Sequence, residues 1–599
     1  MERVADYVIK RLIECEIKHI FMVTGRGILY LSDAVAKNPE IEGISTYHEQ
    51  GASYAAMAYA SANDGMSACL VSTGCAATNA VTAALCAFQD NLPVVFISGQ
   101  NMLNETTRHM RVPIRTYGSQ EADIIKVVES ITKYAVMIEE PKDIAYEMDK
   151  AIYYANNGRK GPVWIDIPLD VQNSRINPKE LKRFTPHNND DKFKLNEKEI
   201  EATIKYLNYA KRPIIFVGGG LRASGVLSEF REFVERINIP VVYSTSAADA
   251  YGSGMKQSIG AVGSLGGSRA GNMAVQNADF ILAIGTKLSS QSIGDDPINF
   301  GREAYITVVD IDPNEHTKNG SKIDRFILSD AGDFILKLAD GDIHSISSEW
   351  MDKCLHWKDV FSIKNEQFIK QEEKENKIDL YSFANELSNQ LAFDATVITD
   401  AGLEELIIPS TVKFREKQRC LFPAAQGAMG YAIPAILGAY YAGRNGIIVV
   451  VGDGSIMMNI QELLIISKSH IPVKIFVINN NMYAVIRKRQ QDLFRNRTIG
   501  NDPSDGVPAP DFKNIAKCFG FDYRKIEEFG ELDKGISDTL KVNTSVICEV
   551  TTVQEQKYFH MSFAINEKRK LVKRPLEDLS PYLERDVIKS EMIIPMISE

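Results

Sequence analysis

The residue types best suited to chemistry lie close together late in the chain: Gly452-Asp453-Gly454 and, 27 positions beyond the aspartate, Asn480, near the end of the run VKIFVINNN. One carboxylate and one amide oxygen, with a backbone carbonyl just beyond, make a set of hard oxygen donors. Such a set suits Mg²⁺, which keeps positions open for water and for phosphate oxygens. The flanking glycines let a phosphate approach the backbone, and a helix expected to begin after Ser455 would offer it free N–H groups and a positive dipole end. A Gly-Asp-Gly tripeptide alone is an everyday turn. Followed at this spacing by a strand that ends in Asn-Asn, it is a specific signal.

Such donors converge only if the chain brings them to one place. The segment 446–481 reads as strand, glycine turn, helix and second strand, and a right-handed β–α–β unit sets the C-terminal ends of its two strands side by side. That end of an open parallel sheet is where ligands bind. Similar runs recur along the sequence: ACLVST, PVVFISG and VWIDIPLDV in the first third, PIIFVGGG, PVVYST, DFILAIGT and ITVVDIDP in the middle, and ATVITDAG, GIIVVVGDG and SVICEV in the last third. Alternating with helical patterns such as 144–155, they predict α/β architecture with three doubly wound parallel sheets. Polar, charged stretches at 174–199 and before 378 read as linkers. The expected divisions are 1–178, 195–342, 378–565 and a tail 566–599, in which EKRKLVKR is expected to be solvated.

The chain has 599 residues, too many for one core, and a formal charge of −10. That balance argues against a nucleic-acid binder, which would present a basic face. The N-terminus is charged throughout, unlike a signal peptide. Two uncharged runs, 65–89 and 420–443, are broken by Ser, Thr, Asn, Gln, Gly or Pro and read as buried helices and turns, not membrane spans. Eight cysteines without a CxxC pair suggest reduced core thiols in a cytoplasmic protein.

The 452–480 segment resembles the diphosphate-binding signature of thiamine-diphosphate enzymes, in particular the acetolactate synthase and pyruvate oxidase group. The resemblance extends to Tyr47-His48-Glu49-Gln50-Gly51-Ala52 followed by AAMAYA, STGCAATNAV (72–81), ITKYA (131–135), GPVWIDIP (161–168) and GAMGYAIPAILGA (427–439). It implies a pyrimidine-binding, a central and a diphosphate-binding domain, and active sites shared between the subunits of a homodimer or homotetramer. It implies thiamine diphosphate and Mg²⁺ as cofactors, the metal on Asp453, Asn480 and the Met482 carbonyl. Gly402, Gly427, Met429, Gly452, Gly454, Ser455 and Tyr483 are the further cofactor contacts. Glu49 is expected to share a proton with the pyrimidine ring from a buried position. Met429 is expected to prop the cofactor's bent shape, with the Gly427 carbonyl on the exocyclic amine, and Gln120 to sit near the reacting carbon. Read without the resemblance, Glu49 is a helix N-terminal acid and Met429 a core methionine. The implied reaction is decarboxylation of a 2-oxo acid, with protonation of the remainder or its transfer to an acceptor carbonyl. Acetolactate synthase proper, a cyclic-diketone hydrolase and a non-catalytic binding subunit are the alternatives.

The sequence also departs from that pattern. Arg26 stands where relatives have a glycine near the reacting carbon; a substrate-holding arginine and a loop-tip arginine weigh evenly there. His48 precedes the catalytic glutamate and joins Arg26 and Arg489 as the candidate substrate contacts. Arg489 replaces a tryptophan of the acceptor pocket, and Gln291 replaces the arginine that holds a second 2-oxo acid. The stretch 104–117 adds Arg108, His109, Arg111 and Arg115, and resembles a subgroup placed in surface-polysaccharide or nucleotide-sugar pathways. In the middle region Lys287, Ser289 and Ser290 replace residues used around FAD, so FAD is admissible but not favoured.

Overall fold

A computed structural model describes the chain except for residues 111–112, 187–194, 319, 321, 566–568 and 598–599. Arg111, part of the first linker, and Glu567 and Lys568 of the tail therefore lie outside the described residues. The apolar runs become interior strands of three six-stranded parallel sheets, buried on both faces as βαβ crossovers require. The first sheet holds β1 (His19–Met22), β2 (Glu42–Ser45), β3 (Ser67–Val71), β4 (Val94–Gln100), β5 (Tyr134–Met137) and β6 (Val163–Pro168), in the order β2-β1-β3-β4-β6-β5. The second holds β7 (Pro213–Val217), β8 (Val241–Tyr243), β9 (Ser258–Ala261), β10 (Phe280–Ile284), β11 (Tyr305–Asp310) and β12 (Arg325–Leu328), in the order β9-β8-β7-β10-β11-β12. The third holds β13 (Thr396–Ile398), β14 (Arg419–Leu421), β15 (Ile447–Gly452), β16 (Val473–Asn479), β17 (Asp522–Ile526) and β18 (Val546–Thr551), in the order β14-β13-β15-β16-β18-β17. First and third sheets thus share one topology. The middle sheet has the 3-2-1-4-5-6 order of dinucleotide-binding folds.

Five helices lie near the site: α1 (Glu49–Asn63), α2 (Leu403–Thr411), α3 (Ala432–Tyr441), α4 (Glu462–Lys468) and α5 (Ala484–Phe494). Helices α1 and α3 form the main contact between the first and third domains. Both are rich in alanine and glycine, so their backbones come close: a Cβ added at Gly438 would lie 2.2 Å from the Ala55 carbonyl oxygen. The uncharged run 420–443 supplies α3, while 65–89 supplies a buried strand and two short helices, and among the described residues no helix is long and apolar enough to cross a membrane.

A buried ion cluster joins all three domains. Arg419 donates to Asp249 at 2.9 Å and to the backbone carbonyls of Ser61 and Ala62, while Arg222 pairs with Asp64 and Asp249 at 3.3 Å each. Arg419 and Asp249 are almost inaccessible, and each has a second partner, Asp64 for Arg419 and Arg222 for Asp249, so the charges compensate one another as a network.

The stretch expected to be solvated is so only in part: Arg569 and Lys570 are exposed, but much of the chain just beyond them is not. Phe563–Ile565 and Leu571–Lys573 pair as an antiparallel ribbon, and residues beyond it strap across the central domain. Leu576, Glu577, Asp578 and Leu579 are buried; Asn272 donates to the Leu576 carbonyl, Gln276 to Glu577 and Arg269 to the Leu579 carbonyl. Leu571 stays exposed, but Arg574 is buried and Lys573 pairs with Asp295. The polar composition misleads because these side chains satisfy buried partners and not water.

Candidate active site

Strands β15 and β16 run in register from Ile447↔Val473 to Gly452↔Ile478, so Asp453 and Asn480 emerge together at one sheet edge. The Asp453 N–H donates to the Ile478 carbonyl at 3.1 Å, and its carboxylate accepts the Asn481 N–H at 2.6 Å. The Asn480 side-chain oxygen accepts the Met482 N–H at 3.1 Å. Burial pushes the Asp453 carboxyl up to about 6, against the pull of the surrounding backbone N–H groups. A carboxylate buried at this cost beside an amide oxygen and the Met482 carbonyl is a donor set that fits Mg²⁺. The glycines leave the backbone bare: at Gly454 a Cβ would lie 2.0 Å from the Tyr483 ring.

Beyond Gly454 the chain departs from the expected helix. Ser455–Asn459 is a 3₁₀ turn, and the α-helix begins only at Glu462. The tighter turn pairs N–H groups that an α-helical start leaves free. The Ser455 hydroxyl is also committed, donating to Asp400 at 2.6 Å and accepting the Gly430 N–H at 2.9 Å. It therefore ties the 427–430 loop to the end of β13, leaving its backbone N–H as its means of meeting a diphosphate.

Two acids unremarked in the sequence line the same edge. Gly402, at φ +88°, turns the chain into α2, whose first turn carries Glu404 and Glu405. Burial first, then Asp400 and Asp453, raises Glu404 to about 8; burial, then Asp90 and Asp400, raises Glu405 to about 8. A neutral Glu404 can donate a hydrogen bond, which is compatible with a neighbouring diphosphate where a carboxylate would repel it. Glu405 explains a glycine: Gly427 sits at φ +54°, and a Cβ there would lie 2.1 Å from a Glu405 carboxyl oxygen. Their only sequence signal, acids after a glycine at a helix start, is the ordinary complement to a helix dipole. Met429 follows, half-buried, in the same loop.

The remaining candidates sit at the matching edge of the first sheet. Glu49 is the first residue of α1 and accepts from the Asn79 side chain at 2.9 Å. In a single chain it is half-exposed rather than buried, and among the described residues its side-chain hydrogen bonds do not reach the Asp453 group. The His48 ring caps α1 by accepting the Gln50 N–H at 3.2 Å. The N–H groups of Tyr47 and His48 donate to Glu462 at 3.2 and 3.1 Å, stitching this turn to the third domain. Gln120 has φ +60°, and its carbonyl would lie 1.8 Å from a Cβ on Gly74, the residue that opens the short helix ending at Asn79. Arg26 is exposed beside that loop, where the Gly27 N–H donates to Ser72 at 3.0 Å. Arg489 is exposed on α5, on the Asp453 side.

The central domain contributes a cavity of about 680 Å³ at its switch point, bounded by Gly218–Gly220, Ser244, Thr286 and Asp310 and roofed by Arg159 and Arg419 from the outer domains. Lys287 lies inside it, donating to the Gln89 carbonyl near Asp90, whose carboxyl burial lifts to about 7 against the pull of Lys287. A GGG turn is weak evidence of such a cleft; the strand order and the volume make it visible.

Comparison with known proteins agrees with this arrangement. Residues 2–126 match the family description "Thiamine pyrophosphate enzyme, N-terminal TPP binding domain", residues 200–338 its central domain and residues 400–550 its C-terminal TPP binding domain. An acetolactate synthase large subunit of Buchnera aphidicola subsp. Schizaphis graminum (strain Sg) is 30% identical over 546 residues, covering 90% of this chain and 92% of that protein. The acetolactate synthase large subunit of Lactococcus lactis subsp. lactis (strain IL1403) is 29% identical over 90% of each chain. The acetolactate synthase isozyme 3 large subunit of Escherichia coli (strain K12) is 27% identical over 91% of this chain and 94% of its own. With three α/β domains in the family's order and a hard-oxygen edge on the third, the chain belongs to the thiamine pyrophosphate enzyme family.

Proposed function

We propose that the chain holds thiamine diphosphate through Mg²⁺ on Asp453, Asn480 and the Met482 carbonyl, decarboxylates a 2-oxo acid, and then protonates the remainder or passes it to an acceptor carbonyl. It is a thiamine-diphosphate-dependent enzyme of the decarboxylase and carboligase class. The observation that carries the finer reading is the meeting of Asp453 and Asn480 at the end of adjacent parallel strands. When bound, thiamine diphosphate supplies the nucleophilic carbon and the electron sink for loss of CO₂.

The chain's own residues do the rest. Gly402, Gly452, Gly454, the Ser455 N–H and Tyr483 shape the diphosphate cradle, and the Gly427 carbonyl and Met429 border the pyrimidine side. Glu49 exchanges the proton that activates the ring, which demands that it be shielded from water. One chain leaves it half-exposed, so the reading includes a homodimer or homotetramer in which a second copy covers this edge. Gln120 lies on the same edge as Glu49. Arg26 and His48 face the substrate in this reading, although the His48 ring also serves as a helix cap.

Gln291 in place of an arginine makes the joining of two pyruvates a poor reaction for this chain, because a neutral amide cannot hold a second carboxylate by a charge-assisted pair. The test is to incubate the purified protein, thiamine diphosphate and Mg²⁺ with a panel of 2-oxo acids and measure CO₂ and products. Acetolactate from pyruvate alone at about 10 per second, an ordinary enzymatic turnover, would make acetolactate synthesis the function. CO₂ release from none of the acids would sink the decarboxylase reading. The proposal extends to cytoplasmic nucleotide-sugar or surface-polysaccharide synthesis on the likeness of the 104–117 stretch.

The central cleft supports a nucleotide-bearing ligand, by its strand order and volume. Flavin is not favoured, because Lys287 occupies the cleft and is tied to the Gln89 carbonyl. Heat-denaturing the purified protein and recording the spectrum of what is released checks both points.

A further inference from the structure

Helix α5 begins two residues beyond Met482, and none of its residues is buried in the single chain. Its cations have different fates. Arg487 pairs with Asp502, and Lys488 pairs with Asp492. Arg489 has no hydrogen-bond or ion-pair partner among the described residues, and it is exposed.

What Arg489 faces is set by the tail. Residues 558–561 run past α5 and clamp onto the central domain: the Gly266 N–H donates to the Phe559 carbonyl at 3.1 Å and the Met561 N–H to the Ser264 carbonyl at 2.7 Å. Ser264 in turn donates its N–H to the Gln291 carbonyl at 2.7 Å. Through Ser264 the tail segment is thus also tied to Gln291. The charge of Arg489 is felt at both Tyr558 and His560. Burial, opposed by the bond to the Tyr558 carbonyl and by Asp492 and helped by Lys488 and Arg489, holds His560 below its ordinary value. Asp492, the acid on α5, is already paired with Lys488.

We infer that Arg489, at the seam of α5 and tail segment 558–561, receives a second anionic group of the substrate, a carboxylate on the 2-oxo acid or a phosphate on the acceptor. This rests on the decarboxylase and carboligase reading for its reaction, but not for its binding. An unpartnered guanidinium six positions beyond Tyr483, on a helix launched from the metal loop, is a ready bidentate clamp for either oxyanion. Selectivity follows: an anionic tail is favoured where a neutral one of the same length finds only an idle cation.

Calorimetric titration of the enzyme loaded with thiamine diphosphate and Mg²⁺ tests the binding without turnover. The inert probes are two pairs, glutarate against pentanoate and glycerol 3-phosphate against glycerol. The expected result is at least tenfold tighter binding of the anionic-tailed member of one pair, lost in Arg489→Met and retained in Lys488→Gln. No preference in either pair, or a preference that survives Arg489→Met, overturns the inference. Turnover then distinguishes the source of the anion. 2-Oxoglutarate is compared with 2-oxopentanoate as donor, and, with pyruvate as donor, glyceraldehyde 3-phosphate with glyceraldehyde as acceptor. A probe preference that depends on Arg489, with no CO₂ release from any acid, supports the subsite and sinks the decarboxylase reading. CO₂ release without that preference sinks the subsite and leaves the decarboxylase reading standing.

Discussion

The first and third domains have the same six-strand order, the same parallel sense and helices of similar make-up packed together, yet their sheet edges carry different chemistry. At the edge of the third sheet, Asp453 and Asn480 lie on adjacent strand ends among buried carboxyls. At the edge of the first, Glu49 stands at the head of a helix of small residues, held by Asn79. Topology supplies two equivalent places for a ligand; the residues at the strand ends differ, and on the proposed reading one edge grips an anion through a metal while the other handles a proton. The middle sheet, wound in a different order, borders a large open cleft at its edge.

If the two edges divide binding from catalysis, substitutions at each should fail in different ways. The largest effect belongs to Asp453→Ala. It removes the one carboxylate of the metal set, and the thermal stabilisation given by thiamine diphosphate with Mg²⁺ should vanish, as followed by melting curves with and without both. An undiminished shift would place the metal elsewhere. Glu49→Gln should do the opposite: cofactor affinity by calorimetry stays near that of the parent while turnover falls about 10²- to 10⁴-fold, the usual weight of a general acid–base group. Loss of cofactor affinity in that variant would erase the contrast between the edges.

The joint between the two domains is the next place to press. Gly438→Val would drive a branched side chain into the Ala55 carbonyl, and overpacking of this kind costs about 1–3 kcal/mol. The expected outcome is a lower melting temperature with the Mg²⁺ and cofactor response preserved in the protein that remains folded. An unchanged melting temperature would mean that the α1–α3 contact opens without cost.

The smallest effect is on pH dependence. Glu405 is raised to about 8 in the folded chain, so the folded state holds its proton more tightly than the unfolded state does. Its contribution favours folding in acid and is lost as pH rises from the ordinary glutamate value toward about 8. The cofactor-free protein should melt at lower temperature as pH climbs through that window, and Glu405→Gln should flatten the trend. An identical slope in the variant would show that the other raised carboxyls, Asp90 and Glu404 among them, account for all of it.

The sequence by itself determined the interior strands, because a strand covered by helices on both faces must be a continuous apolar run, as in GIIVVVGDG and VKIFVINNN. It determined the Asp453 and Asn480 pair for a related reason: two residues at the ends of a β–α–β unit are neighbours by local geometry alone. It did not reveal the edge strands, such as Glu42–Ser45 and Asp522–Ile526, whose outer sides meet solvent and whose residues are mixed in character. Only the tertiary structure decided what depends on distant segments meeting. Glu405 and Gly427 are 22 positions apart and touch because of how α2 lies on the loop; Arg419, Asp249 and Asp64 come from three domains. The polar tail becomes buried because its hydrogen-bond partners lie some 300 residues earlier, on the central domain. Local spacing specifies what one supersecondary unit can hold; burial, and with it the charge state of Glu404, Glu405 and Asp90, is a property of everything that packs around it.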